Sequence, residues 1–127
     1  DDKNQRIQRY TPDGKYLNSF GSAGDGNGEF SFPWGVTVAP DGVIYIADWR
    51  NDRIQRFTHE GKFIDACGTT GHGQGQFNRP ANVAVDDDGN IFVADWGNQR
   101  VQAFDKDWNF QTSIRGAGEL LDAQVFA

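Results

Sequence analysis

The chain has 127 residues, the length of one ordinary domain, with 16 glycines and no apolar run near the ~18 residues of a membrane helix. Twelve basic against 18 acidic residues give a formal charge of −6, a field that repels polyanions and disfavours nucleic acid and anionic membranes as partners. Cys67 is the sole cysteine, which excludes an intrachain disulfide and the zinc-ribbon and zinc-finger spacings; it reads as a small buried apolar residue.

Taken in chain order, the first element is a strand from about Ile7 to Tyr10, introduced by Asn4-Gln5-Arg6-Ile7-Gln8. That run returns as Asn51-Asp52-Arg53-Ile54-Gln55 and again as Asn98-Gln99-Arg100-Val101-Gln102, each time 47 residues on. The same offset carries Phe30 and Pro33 to Phe77 and Pro80, Asp41-Gly42 to Asp88-Gly89, and Ala47-Asp48-Trp49 to Ala94-Asp95-Trp96. A fixed period of this size marks a repeat architecture.

Within one unit the pattern predicts four strands. Gly35 to Ala39 and Val43 to Ala47 are joined by Pro40-Asp41-Gly42, whose proline and glycine preset a tight turn. Arg53 to Thr58 and Lys62 to Cys67 follow, with His59-Glu60-Gly61 turning between them, and Gly68 to Gly75 reads as a flexible connector to the next unit. Val36, Val38, Ile44, Tyr45 and Ile46 predict that burial is greatest in the first strands and falls toward the last, where Gln55, Arg56, Lys62 and Asp65 mark an outer rim. Four antiparallel strands in a unit of about 40–50 residues describe a β-propeller blade, so the fold class is all-β.

The runs Pro-x-x-Val-x-Val, Asp-Gly-x-Ile-aromatic-(Ile/Val)-Ala-Asp-Trp and Asn-x-Arg-(Ile/Val)-Gln resemble the NHL repeat, and the resemblance extends over almost the whole chain. It implies a propeller, usually of six blades, and a closed ring of 47-residue units needs about 280 residues. The expected organisation is a half blade at 1–21, blades at 30–68 and 77–116, and the start of another connection at 117–127. The half blade supplies only a third and a fourth strand, so the strand around Ile7 to Tyr10 is then expected to show an unpaired edge and an apolar face. With no methionine and an opening Asp1-Asp2-Lys3, the sequence reads as a processed product, a piece of a longer chain or a subunit completed by copies of itself. An extracellular or periplasmic setting is favoured.

On a propeller, the loops between second and third strands share one face with the connections between blades. This face is expected to carry Trp34, Trp49, Arg50, His72, Gln74, Arg79 and Trp96 as candidate ligand-binding residues, with Trp34, Arg79, His72 and Gln74 on connections. Positions that differ between units are the better specificity candidates: Trp34 against Ala81, Arg50 against Gly97, and Ser31-Phe32 against Asn78-Arg79. Asp48, Asn51, Arg53, Asp95, Asn98 and Arg100 recur, and Arg6 with them; they read as structural ties that fix the loops.

Other motifs do not develop. Asp86-Asp87-Asp88-Gly89-Asn90 has carboxylates at alternate positions, but a calcium loop requires Gly where Ile91 stands and Glu where Gly97 stands, so it reads as a hairpin turn. His59 and His72 fall on opposite faces, and no Lys-Ser/Thr or helix follows the glycine-rich stretch, so no catalytic residue, metal or cofactor is assigned. The resemblance implies protein-binding, RNA-binding or peptide-amidating lyase propellers. The acidic charge opposes RNA, and the lyase's metal-binding histidines have no matching positions. The expectation is a non-catalytic binding or scaffold module whose partner is a protein, or further blades or copies. The alternative is part of a metal-assisted lyase or hydrolase propeller whose catalytic residues lie outside this segment.

Overall fold

The computed structural model describes residues 5–115, so the 117–127 connection and Asn4 lie outside the described residues. The span opens with an antiparallel hairpin of β1 (Ile7–Tyr10) and β2 (Tyr16–Phe20), followed by β3 (Ser22–Ala23) and β4 (Glu29–Phe30), a short parallel pair. β5 (Pro33–Val38), β6 (Ile44–Asp48), β7 (Arg53–Phe57) and β8 (Phe63–Cys67) then form an antiparallel sheet in chain order. β9 (Thr69–Thr70) and β10 (Gln76–Phe77) repeat the parallel pair. β11 (Pro80–Val85), β12 (Ile91–Asp95), β13 (Arg100–Phe104) and β14 (Phe110–Arg115) repeat the sheet. The result is one two-stranded and two four-stranded meanders, the blades of a β-propeller arc.

The apolar run Ile44-Tyr45-Ile46-Ala47 follows from this arrangement. Alternate side chains of a strand point to opposite faces, and β6 is covered on both. Ile44 and Ile46 pack with Phe30 and Phe57 in a core lined on its far side by Ile7 and Phe20 of the first hairpin. Tyr45 and Ala47 join Phe77, Val83, Val93 and Phe104 in the core toward the next blade. The repeat is visible in ring packing: Phe30 and Phe57 stand 5.7 Å apart, and their counterparts Phe77 and Phe104 6.0 Å.

Two expectations are corrected here. Burial does not fall from the first strand outward: β6 is buried at every residue, while in β5 Val36 and Val38 are 46% and 59% exposed. A second strand has a neighbour on each edge and each face, whereas Val36 and Val38 of β5 line an open recess shared with Ile7, Tyr10 and Leu17 of the first hairpin. Nor is Gly68 to Gly75 a loose connector. Its backbone is closed by Gly71 N donating to Phe77 O at 3.1 Å and Gln76 N to Gly73 O at 3.2 Å, with the β9–β10 ladder beside them. Gly68 has φ +118°, and a Cβ there would lie 2.5 Å from the Phe77 ring, so position 68 requires glycine on both counts.

Candidate functional site

The loop between the second and third strands is a single 3₁₀ turn in each blade, Trp49–Asn51 and Trp96–Asn98. Asp48 and Asp95 open the two turns with closely matched dihedrals, φ −88° and −85°, so the loops share one backbone shape. The buried Asp48 carboxylate accepts from Ser31 N at 2.8 Å, Asn51 Nδ2 at 2.9 Å and Arg53 Nε at 2.9 Å. The Arg53 guanidinium donates three further hydrogen bonds, to the carbonyls of Asp25, Gly26 and Glu29. Asn51 reaches Gly24 O at 2.8 Å, and Gln55 Nε2 reaches Glu29 O at 2.7 Å.

The second blade repeats this network. Asp95 accepts from Asn78 N, Asn98 Nδ2 and Arg100 Nε, and Arg100 donates to the carbonyls of His72, Gly73 and Gln76. Arg100 and Asp95 are buried, and their ion pair measures 2.8 Å. These six polar residues therefore bind each blade's loop to the connection that arrives from the preceding blade. Arg6, at the equivalent position in the first unit, is exposed.

One tie escaped the sequence reading. The residue between Asn and Arg is a side-chain acceptor in the first two units, as Gln5 and Asp52. Gln5 Oε1 accepts from Phe32 N, and Asp52 Oδ1 accepts from Arg79 N at 2.7 Å, 27 residues on in each case. The residues so held, Phe32 and Arg79, have φ +57° and +56°, a left-handed conformation that a side chain enters only when held there. Thr70 Oγ1 also donates to Asp52, at 2.6 Å. The available signal was that this position always carries a carbonyl or carboxylate oxygen.

Above the ties lies an aromatic and cationic surface. Trp34 is not on a connection but within β5, where the β5–β6 register slips between Pro33 and Gly35 and leaves Trp34 as a bulge residue. A bulge re-aims its side chain. The Trp34 indole stacks on Trp49, with centroids 5.9 Å apart and planes 31° apart, yet remains 67% exposed. Arg79 covers Trp49 at 5.2 Å from the ring centroid and donates to Arg50 O at 3.0 Å and Asp52 at 3.2 Å. Arg50 lies 4.3 Å over the Phe32 ring.

Trp34, Trp49, Arg50 and Arg79 are thus brought together, with Phe32 beside them. Trp96 is not joined to this stack: it is 60% exposed, with no ring partner among the described residues. His72 and Gln74 are exposed on the connection held by Arg100, and His72 takes part through its carbonyl. Asp86 is consumed by its own turn, accepting from the backbone N of Asp88 and Asn90 and from Asn90 Nδ2, and the Asn90 bonds hold its carboxyl below the usual range.

A second cluster joins the outer rims of the two blades. Arg56 forms a bidentate pair with Asp65, at 2.7 and 2.6 Å, and donates to Lys106 O of the next blade. Trp108 lies 4.8 Å from Arg56 and donates Nε1 to Asp65 at 3.3 Å. The Arg56 hydrogen bonds hold Asp65 below the ordinary carboxylate value and raise the Arg56 guanidinium above its own. Cys67 packs half-buried against the adjoining core, and burial pushes its thiol up to about 11.

A family model, the NHL repeat, matches residues 30–57 and 77–104. No curated protein sequence matches the chain. Among solved structures it is similar to a catalytically inactive virginiamycin B lyase from Staphylococcus aureus with quinupristin, at 19% identity and TM-score 0.65 over 91% of this chain and 36% of that one. It is also similar to a Bacteroides fragilis protein described as exported, at 17% identity and TM-score 0.63 over 87% and 29% of the two chains. A third is apo AztD from Citrobacter koseri, at 15% identity and TM-score 0.59 over 87% and 29%. The chain spans about a third of the length of these structures. Sequence period, blade topology and structural likeness converge on a β-propeller fold, and residues 30–57 and 77–104 of the chain are NHL repeats.

Proposed function

We propose that this chain is a non-catalytic binding module that takes a protein segment across its loop face, at the surface built by Trp34, Trp49, Arg50 and Arg79. The observation that carries the reading is the exposed Trp34 indole stacked on Trp49 at a strand bulge. Residues that hold the fold recur between units and are spent on internal bonds. Trp34 and Arg50 do neither, since Ala81 and Gly97 replace them in the second blade. A rigid aromatic beside a guanidinium is the composition of an interface hot spot. The similarity to a protein described as exported supports an extracellular or periplasmic setting.

The test is selection of random 12-residue peptides displayed on phage, followed by affinity measurement on the purified chain. Trp34→Ala is expected to weaken the selected peptides at least tenfold, about 1.4 kcal/mol, with the melting temperature nearly unchanged. Peptides indifferent to every loop-face substitution would refute the reading.

A second reading has one observation in its favour, the likeness to virginiamycin B lyase. Here the chain is part of a metal-assisted lyase or hydrolase propeller whose catalytic residues lie outside this segment. Consumption of quinupristin by the full-length protein, followed by chromatography, would select it.

A further inference from the structure

The two blades carry the same tryptophan on the same turn, but among the described residues only one of the two rings is covered. In the first blade Trp34 covers one side of the ring and Arg79 lies over it as well. In the second, Ala81 occupies that position, and the β11–β12 register slips between Pro80 and Asn82 as the β5–β6 register slips at Trp34. The bulge is kept while the ring it would aim is missing. Among the described residues Trp96 is 60% exposed, whereas Trp49 is half-buried; position 126, the counterpart of the Arg79 that also covers Trp49, lies outside the described residues. The first blade therefore shows what fits the second.

We infer that Trp96 and Ala81 form a receptor for an aromatic side chain of an acidic peptide segment, filling in the second blade the place that Trp34 fills in the first. The inference rests on the loop-face reading above and gives the partner its chemistry. The Trp34–Trp49 stack is the template for the bound ring.

The acidic character follows from the charges along the same strip. Asp48, Asp52 and Asp95 are matched by Arg53, Arg79 and Arg100. Arg50 is exposed, stacked on Phe32, and has no carboxylate within ion-pair distance among the described residues; Asp25 lines the same recess beyond that distance. Its N–H edge is open to a carboxylate, the acceptor that a guanidinium fork fits best. The strip is continuous: Arg79 donates to Arg50 O, and Gly97 N, beside Trp96, donates to Asn78 O at 2.7 Å.

The experiment uses the phage-selected 12-residue peptides, fluorescently labelled, with affinities read by anisotropy and folding by thermal melting. Selected peptides are expected to be rich in Trp, Tyr or Phe together with Asp or Glu. Ala81→Trp, which installs the first blade's own cover, is expected to weaken them at least tenfold while the chain stays folded. Trp96→Ala should do the same, and it decides the matter if Ala81→Trp fails to fold. Arg50→Gly should weaken binding severalfold and remove most of its salt dependence. Peptides that ignore Ala81→Trp and Trp96→Ala but lose affinity on Trp34→Ala would overturn the receptor and leave the loop-face reading standing. Peptides that ignore all of these variants, or failure to select any, would overturn both.

Discussion

Replacing Asp48 by Ala is expected to destabilise the fold by about 3 kcal/mol. The Asp48 side chain has no solvent exposure, and its two oxygens receive Ser31 N, Asn51 Nδ2 and Arg53 Nε within 2.9 Å and Gln55 Nε2 at 3.2 Å. Removing one partner of a buried ion pair costs about 3–5 kcal/mol, because the remaining charge stays behind without compensation. The lower end applies, since Arg53 is 13% exposed and keeps three carbonyl partners. Urea unfolding followed by circular dichroism gives the value directly. With a slope of about 1.5 kcal/mol/M the midpoint should fall by about 2 M. The double variant Asp48→Ala/Arg53→Ala should be more stable than the sum of the two single losses implies, by about 1–3 kcal/mol. A loss under about 1 kcal/mol for Asp48→Ala, or strict additivity in the cycle, would refute the claim that this pair ties the loop to the connection.

Trp49→Ala should cost more stability than Trp34→Ala, about 2 against under about 1 kcal/mol, since Trp49 lies between Trp34 and Arg79 while Trp34 has one face in solvent; thermal melts of the two variants decide the order. Asp65 titrates below its unfolded value of 3.8 because Arg56 hydrogen-bonds its charged form. A lowered carboxylate stabilises the fold above the unfolded value and loses that contribution as pH falls through the folded one, so the melting temperature should drop below about pH 4, and Arg56→Ala should flatten the drop. With its thiol pushed up to about 11, Cys67 should react with a disulfide reagent at pH 8 far more slowly in the native chain than in urea; equal rates would contradict its packed position.

What was legible in the sequence was local and repeated. Pro40-Asp41-Gly42 and His59-Glu60-Gly61 announce turns, and strand limits follow from the apolar runs between them, so β5 to β8 fall within two residues of expectation. The recurring Asp, Asn and Arg could be read as ties because a polar residue that repeats with the fold serves the fold. What was not legible depends on partners that only the folded chain supplies. The Trp34 bulge is a property of ladder register. The link from Asp52 to Arg79 joins residues 27 apart, and Arg56 meets Lys106 across 50. The exposure of Val36 and Val38 depends on which sheet stands opposite β5, and the composition of β5 carries no information about that.

The same distinction separates architecture from function on the loop face. Two turns with one backbone shape and one set of buried ties differ in the side chains they hold outward. Trp34 and Arg50 stand on one, Ala81 and Gly97 on the other. The ties use neither the Trp34 nor the Arg50 side chain, so these two can vary at little cost to folding, whereas at Gly97 a Cβ would lie 2.4 Å from Asn78 O. Variation confined to residues that the scaffold does not use is what a binding surface needs. An exposed indole gains nothing from water, and the Trp34 indole, at a bulge that the second blade fills with alanine, is the feature on which the proposed loop-face binding rests.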